Sequence, residues 1–248
     1  MISRRCNGIM DISLYYKEEG SGFPLILLHG NGEDGGYFAH QMEYFKDRYR
    51  VIAVDTRGHG RSPRGEKPFT IRQFAEDLRD FMDEHGIKKA HILGFSDGGN
   101  IALIFAMKYP ERVDHLILNG ANLTADGMKL SVWIPIITGY RIAQLKLKAA
   151  KAAGRENPRA EHDKELLGLM VNDPNINGEK LLRNRNPEFR KMPKLVIAGD
   201  RDMIKDSHTK LIWRCLPDAE LRILPGTHFI AKDEYGLFNR AVETFLGK

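Results

Sequence analysis

The sequence predicts an α/β protein with a doubly wound, mostly parallel sheet and a helical insertion. Three observations carry this expectation. Six short apolar runs are each closed by small or acidic residues, segments of helical spacing separate most of them, and the interval from Ala121 to Met192 has no strand pattern.

Taken in order, "ISRRC" (2–6) and "MDISLYYKEEG" (10–20) read as a polar antiparallel pair at one edge. The runs at 23–30, 50–58, 91–96, 113–120, 194–200 and 219–226 read as parallel strands covered on both faces, because they are apolar without alternation. Thr70 to His85 reads as a helix. Thr70 and Gln73 form a capping-box pattern, and Ile71, Phe74, Leu78 and Phe81 keep helical spacing. The helix after Ser96 should stop at Tyr109-Pro110, since a residue before proline resists the α region. Tyr235 to Leu246 carries Leu237, Ala241, Val242 and Phe245 on one face. Within the strandless interval, "IAQLKLKAAKAAG" and "AEHDKELLGLMV" read as helices and "NGEKLLRNRN" as a short one. The expected division is a core of 1–123 and 191–248 with a helical insertion over 124–190.

Composition narrows the class. Hydrophobic residues make up 42% and charged residues 29% of the 248, as in folded globular domains. The first twenty residues hold "SRR" and "KEE" and no apolar core segment, unlike a secretory signal. No run approaches the ~18 apolar residues that span a bilayer. Two cysteines, Cys6 and Cys215, make a disulfide framework unexpected and fit a reducing cytoplasm. The formal charge of +5 is mild, and most of it falls in the insertion, where twelve Lys or Arg stand against eight Asp or Glu. Without a dense patch and interleaved aromatics this reads as solvated helix faces, so neither nucleic acid nor membrane is an expected partner.

Ligands of open α/β sheets sit at the carboxyl ends of the strands. Those ends offer "HGNGEDGG" after 23–30, "GHGRSPRG" after 50–58, Ser96 and Asp97 after 91–96, Asp200 and Asp202 after 194–200, and His228 after 219–226. Gly94-Phe95-Ser96-Asp97-Gly98 spells G-x-S-x-G between a strand and a helix, and a serine, an acid and a histidine follow in that chain order. The chemistry needs all three. A serine hydroxyl is a weak nucleophile until a histidine accepts its proton, and the histidine needs a carboxylate to hold its tautomer. Glycines permit the tight turn, and the helix N-terminus beyond it offers N–H groups to an oxyanion. On position alone either Asp200 or Asp202 could be the acid. Asp97 has two readings, as a helix cap or as a carboxylate that faces the pocket and binds a cationic part of the substrate.

"LLHGNG", "DTRGHGRS", "GFSDGG", "AGDRD" and "GTHF" resemble the signatures of the α/β-hydrolase superfamily in its small, esterase-like branch, close to valacyclovir-hydrolase-like and carboxylesterase-like members. The likeness runs from about Ile9 to Leu246 and is weakest in the insertion, which matches the position of that family's cap domain. The resemblance implies Ser96 as nucleophile, His228 as general base and Asp202 as acid, with the backbone N–H groups of Asn31 and Asp97 as the oxyanion hole. It implies a small acyl substrate and neither cofactor nor metal. Asp55, Arg57 and His59 are then structural, and His29 braces the oxyanion loop. A C–C bond hydrolase, a perhydrolase and a non-enzymatic ligand receptor are the rival functions on the same scaffold. The sequence leaves the oligomeric state open.

Overall fold

The computed structural model describes residues 11–247. Its strands are β1 (Tyr16–Glu19), β2 (Phe23–Leu28), β3 (Tyr49–Val54), β4 (Ala90–Phe95), β5 (Val113–Asn119), β6 (Lys194–Gly199) and β7 (Ala219–Leu224). They form one sheet in the order β1-β3-β2-β4-β5-β6-β7. The α-helices are α1 (Ala39–Phe45), α2 (Ile71–Glu84), α3 (Asp97–Lys108), α4 (Leu130–Ala152), α5 (Pro158–Asn172), α6 (Gly178–Leu182), α7 (Pro187–Lys191), α8 (Asp206–Cys215), α9 (Ile230–Asp233) and α10 (Tyr235–Leu246).

All six apolar runs become parallel strands, and the reason shows in β2. Leu25 and Leu27 point into one core with Phe38, Phe45, Phe238, Val242 and Phe245. Ile26 and Leu28 point into the other with Phe74, Leu78, Phe81, Ile101 and Phe105. Successive strand residues face opposite sides, so a strand with helices on both faces has to be apolar throughout.

Four details differ from expectation. β1 runs antiparallel to β3, with Tyr16 opposite Val54 and Glu19 opposite Val51, while its expected partner "ISRRC" lies outside the described residues. β7 is the far edge strand and is only half-buried, because it has one strand neighbour and helices cover it incompletely. The capping box of α2 is half made. Gln73 N donates to Thr70 Oγ1 at 3.2 Å, but the Gln73 amide turns away and donates to Asp77 Oδ1 at 2.9 Å. That carboxylate is already engaged, since Asp77 takes two 2.7 Å bonds from the fully buried Arg57 guanidinium.

The fourth difference is α4, which begins twelve residues before the expected Ile142 and passes through Pro135. Antiparallel packing against α5 holds it, with Gly139 leaving space for Leu167 and Ala143 buried at the crossing. α7 had no sequence expectation. The insertion lies against the loops at the carboxyl ends of the strands. Arg64, after β3, donates to Glu165 of α5 at 2.9 Å, and Asn31, after β2, donates to the Leu166 carbonyl at 2.8 Å. No helix among the described residues is long and apolar enough to cross a membrane.

Candidate active site

Ser96 sits at the junction of β4 and α3 with φ 53°, a left-handed conformation that costs an L-residue energy and lifts its side chain above the sheet. Ser96 N donates to the Asn119 carbonyl of β5 at 2.8 Å, which pins the turn. The flanking glycines are there for close approach. A Cβ on Gly94 would run into the backbone of Gly98, and one on Gly98 into the carbonyl of Leu28 at the end of β2. Ser96 is half-buried, and its Oγ has no protein hydrogen bond among the described residues.

His228 is 4% exposed and Asp202 3%. His228 Nδ1 and Asp202 Oδ1 are 2.6 Å apart, and the same oxygen accepts the Ile204 N–H at 2.9 Å. Asp200 is exposed and does something else. Its Oδ1 accepts Gly226 N at 2.9 Å while Arg201 N donates to the Gly226 carbonyl at 2.9 Å, so the loops after β6 and β7 are laced together. That lacing fixes where Asp202 and His228 meet. The imidazole packs 4.8 Å from the Phe95 ring, one residue before Ser96.

Gly120, one residue beyond β5, makes room for that ring. Its φ is +60°, and a Cβ there would lie 2.7 Å from His228 Cε1. Gly120→Ala combines an unfavourable left-handed alanine, costing about 1–2 kcal/mol, with a methyl group that displaces the imidazole. The expected result is a folded protein with kcat lowered about a hundredfold and a reduced melting temperature. An unchanged kcat would show that His228 tolerates the shift.

Asn31 and Asp97 lie side by side across the Ser96 turn. Asp97 is the first residue of α3, so its N–H has no carbonyl four residues earlier to bond. Neither it nor the Asn31 N–H is used in a backbone hydrogen bond among the described residues. The Asp97 side chain is engaged differently from either expectation. Its Oδ2 accepts Asn31 Nδ2 at 2.9 Å and its Oδ1 accepts Asn100 Nδ2 at 3.2 Å. It thus ties the loop after β2 to α3, rather than capping the helix backbone or extending towards a ligand. Asn31 Nδ2 spends its other hydrogen on Leu166 O, so one amide joins the Ser96 turn to the insertion. Asn100 continues the network to Asn122, whose N–H donates to Asn100 Oδ1 at 3.0 Å.

Burial raises the Asp97 carboxyl from its ordinary 3.8 to about 6, and the two amide bonds only partly offset this. The folded-state value is above the unfolded one, so folding favours the protonated acid. The penalty is absent below pH 3.8, grows as pH rises towards 6, and is complete above it. Asp97→Asn cannot ionise. Its stability relative to wild type should therefore improve by about 2–3 kcal/mol between pH 4 and pH 7. Urea unfolding across that range measures it, and a pH-independent difference would refute the burial argument.

Three other histidines and the loop charges build the frame. His29 Nδ1 is 2.7 Å from the Gly30 carbonyl and its Nε2 accepts Thr56 N–H at 2.9 Å, which braces the loop that carries Asn31. Burial lowers the His29 pKa, so it is held neutral. His59 is pushed down to about 4, chiefly by burial, with Nδ1 against the Arg57 carbonyl at 2.9 Å. Asp55 accepts Gly35 N at 2.7 Å and Arg61 N at 2.8 Å. His208 is buried, and its Nε2 accepts the Leu123 N–H at 3.0 Å.

Sequence reasoning missed Gly120, Asn100, Asn122 and Glu33. Glu33 lies in the "HGNGED" loop with Oε2 buried and unpartnered, and burial raises its pKa. The motif placed it near the site, but nothing in its spacing marked its side chain as turning inward.

The comparisons agree with this geometry at the level of the family. Residues 24–139 match the family model described as alpha/beta hydrolase fold. Over 240 residues the chain is 30% identical to a putative carbamate hydrolase RutD of Caulobacter sp. (strain K31), covering 90% of each chain. It is 29% identical to a 2-hydroxy-6-oxononadienedioate/2-hydroxy-6-oxononatrienedioate hydrolase of Paraburkholderia phymatum, covering 97% of this chain and 93% of that one. Among solved structures, Est816, described as an N-acyl homoserine lactone degrading enzyme, superposes with a TM-score of 0.73 at 26% identity, over 94% of this chain and 97% of that one. The chain belongs to the α/β-hydrolase family, and it is a hydrolase.

Proposed function

We propose that the protein is a serine hydrolase that cleaves a small carboxylic ester or related acyl compound through an acyl-enzyme on Ser96. The observation that carries this reading is the buried His228–Asp202 pair, 2.6 Å apart, beside a serine on a left-handed turn. In this mechanism Ser96 Oγ attacks the acyl carbon and its proton passes to His228 Nε2. Asp202 holds the Nδ1–H tautomer and stabilises the imidazolium. The Asn31 and Asp97 N–H groups bind the oxyanion. Collapse breaks the bond to the leaving group, which takes the proton from His228. Water then gives a proton to His228 and attacks the acyl carbon; the bond from Ser96 Oγ to that carbon breaks, Oγ takes the proton back from His228, and the acid leaves. No cofactor or metal enters these steps.

Residues 124–190 act as the cap over a core of 1–123 and 191–248. The bonds from Arg64 and Asn31 to α5 support that role. The substrate is a small molecule, with neither nucleic acid nor membrane as partner, and the free, buried Cys215 fits work in the cytoplasm. Because both Asp97 oxygens are bonded inside the protein, we assign that side chain to holding Asn31 rather than to binding substrate.

The test is a pre-steady-state burst. One equivalent of p-nitrophenol per active site from a short-chain p-nitrophenyl ester, with an acyl mass on the Ser96 peptide, is the expected result. A receptor on this fold would show neither. The relative from Paraburkholderia phymatum favours C–C bond cleavage as the second reading. Turnover of a 2-hydroxy-6-oxo-dienoate at a kcat/KM above that of every ester tried would select it.

A further inference from the structure

We propose that His91, Asp114 and His115 form a zinc-type divalent metal site at the end of the sheet opposite Ser96. His91 is the second residue of β4, and Asp114 and His115 are the second and third of β5, so all three lie where the strands begin.

Adjacent residues of a regular strand face opposite sides of the sheet, so Asp114 and His115 should diverge. Here the register shifts. Ala90 pairs with Val113 but Ile92 pairs with Leu116, leaving two residues of β5 against the single His91 of β4. This is a β-bulge, which re-aims side chains. It turns both Asp114 and His115 onto His91. Asp114 Oδ2 is 2.8 Å from His115 Nδ1 and 3.4 Å from His91 Nδ1, and one ligand atom from each residue lies within 4.8 Å of the other two. Ligands about 2.0–2.2 Å from a tetrahedral zinc are roughly 3.3 Å apart, so small side-chain adjustments close the set.

His91 provides an independent indication. It is 6% exposed, yet its Nδ1 has no hydrogen-bond partner, although buried polar nitrogens nearly always have one. That nitrogen lies 3.4 Å from Asp114 Oδ2 without a hydrogen bond to it. The rings of Phe23, Tyr49 and Phe245 surround the imidazoles and limit water at the site. Two imidazoles and one carboxylate suit zinc over calcium or magnesium, and the partly exposed Asp114 side leaves a fourth position for water. Lys89 opposes binding, with Nζ 3.0 Å from Asp114 Oδ1, the oxygen not facing the histidines. Its charge keeps the affinity moderate and supplies a diagnostic variant.

The experiment is calorimetric titration of tag-free, chelator-stripped protein with Zn²⁺ at pH 7.5. One equivalent should bind in the micromolar range. His115→Gln and Asp114→Asn should each weaken binding tenfold or more. Lys89→Gln, which removes a positive charge beside the ion, should tighten it about five- to tenfold. His115→Gln and Lys89→Gln should keep wild-type melting temperature and metal-free esterase rate, which separates this site from Ser96 and makes the test independent of the proposed catalysis. Absence of saturable binding, unchanged affinity in His115→Gln, or no gain in Lys89→Gln would each overturn the proposal.

Discussion

Ser96→Ala is expected to lower kcat on a short-chain ester by roughly a millionfold, with the fold and KM little changed. In the proposed mechanism the hydroxyl supplies the only atom that forms the covalent intermediate. Without it the oxyanion donors and the pocket remain but have no nucleophile to serve. His228→Ala should cost about as much, and the double variant hardly more, because the members of such a set act as a unit. The alanine methyl fits the space of the serine Cβ, and position 96 keeps its pinning bond from Ser96 N to the Asn119 carbonyl through the backbone. Circular dichroism checks folding, and active-site titration of the wild type sets the baseline. If folded Ser96→Ala keeps more than about a hundredth of wild-type kcat, the acyl-enzyme mechanism is wrong.

The second large effect separates two aspartates that sit two residues apart. Asp202→Asn is expected to lower kcat about ten-thousandfold. One oxygen, Oδ1, serves both the Ile204 N–H and His228 Nδ1, so an amide has two poor choices. With its NH₂ at that position it opposes the Ile204 N–H and favours the tautomer whose proton is on Nε2, which has no lone pair to receive the serine proton; with its oxygen there it lacks the charge that stabilises the imidazolium. Asp200→Asn should change kcat less than tenfold, since an amide oxygen can still accept the Gly226 N–H. A steady-state comparison of the two folded variants decides the matter. The reverse ranking would move the acid to Asp200 and the His228–Asp202 bond to a structural role.

The two aspartates also mark how far the sequence can be read. "GDRD" placed both at the end of one strand, and only the resemblance favoured Asp202. In space the meeting of Asp202 with His228 rests on the lacing between Arg201 and Gly226, a contact between loops that are distant along the chain. Asp97 makes the same point. Its place beside Ser96 was legible, but its carboxylate is engaged by Asn31 and Asn100, and the Asn31 amide is shared with Leu166 of the insertion. The start of α4 was hidden because Pro135 and Gly139 carry local signals against helix, and packing against α5 outweighs them.

The sequence by itself determined the six parallel strands and their order along the chain, and for the five inner ones the reason is that a strand covered on both faces must be apolar without alternation. It also determined which side chains stand at the strand ends, because G-x-S-x-G and its companions are local strings. Tertiary structure alone decided what depends on distant segments meeting. Gly120 is as bare as any glycine in the sequence, and its need arises only where the His228 ring arrives 2.7 Å from its missing Cβ. Asp114 and His115 are neighbours that alternation would separate, and a one-residue shift against β4 turns them together. Hydrophobic patterning is a property of single segments. Register, bulges and loop-to-loop bonds are properties of pairs of segments, and they exist only once the chain has folded.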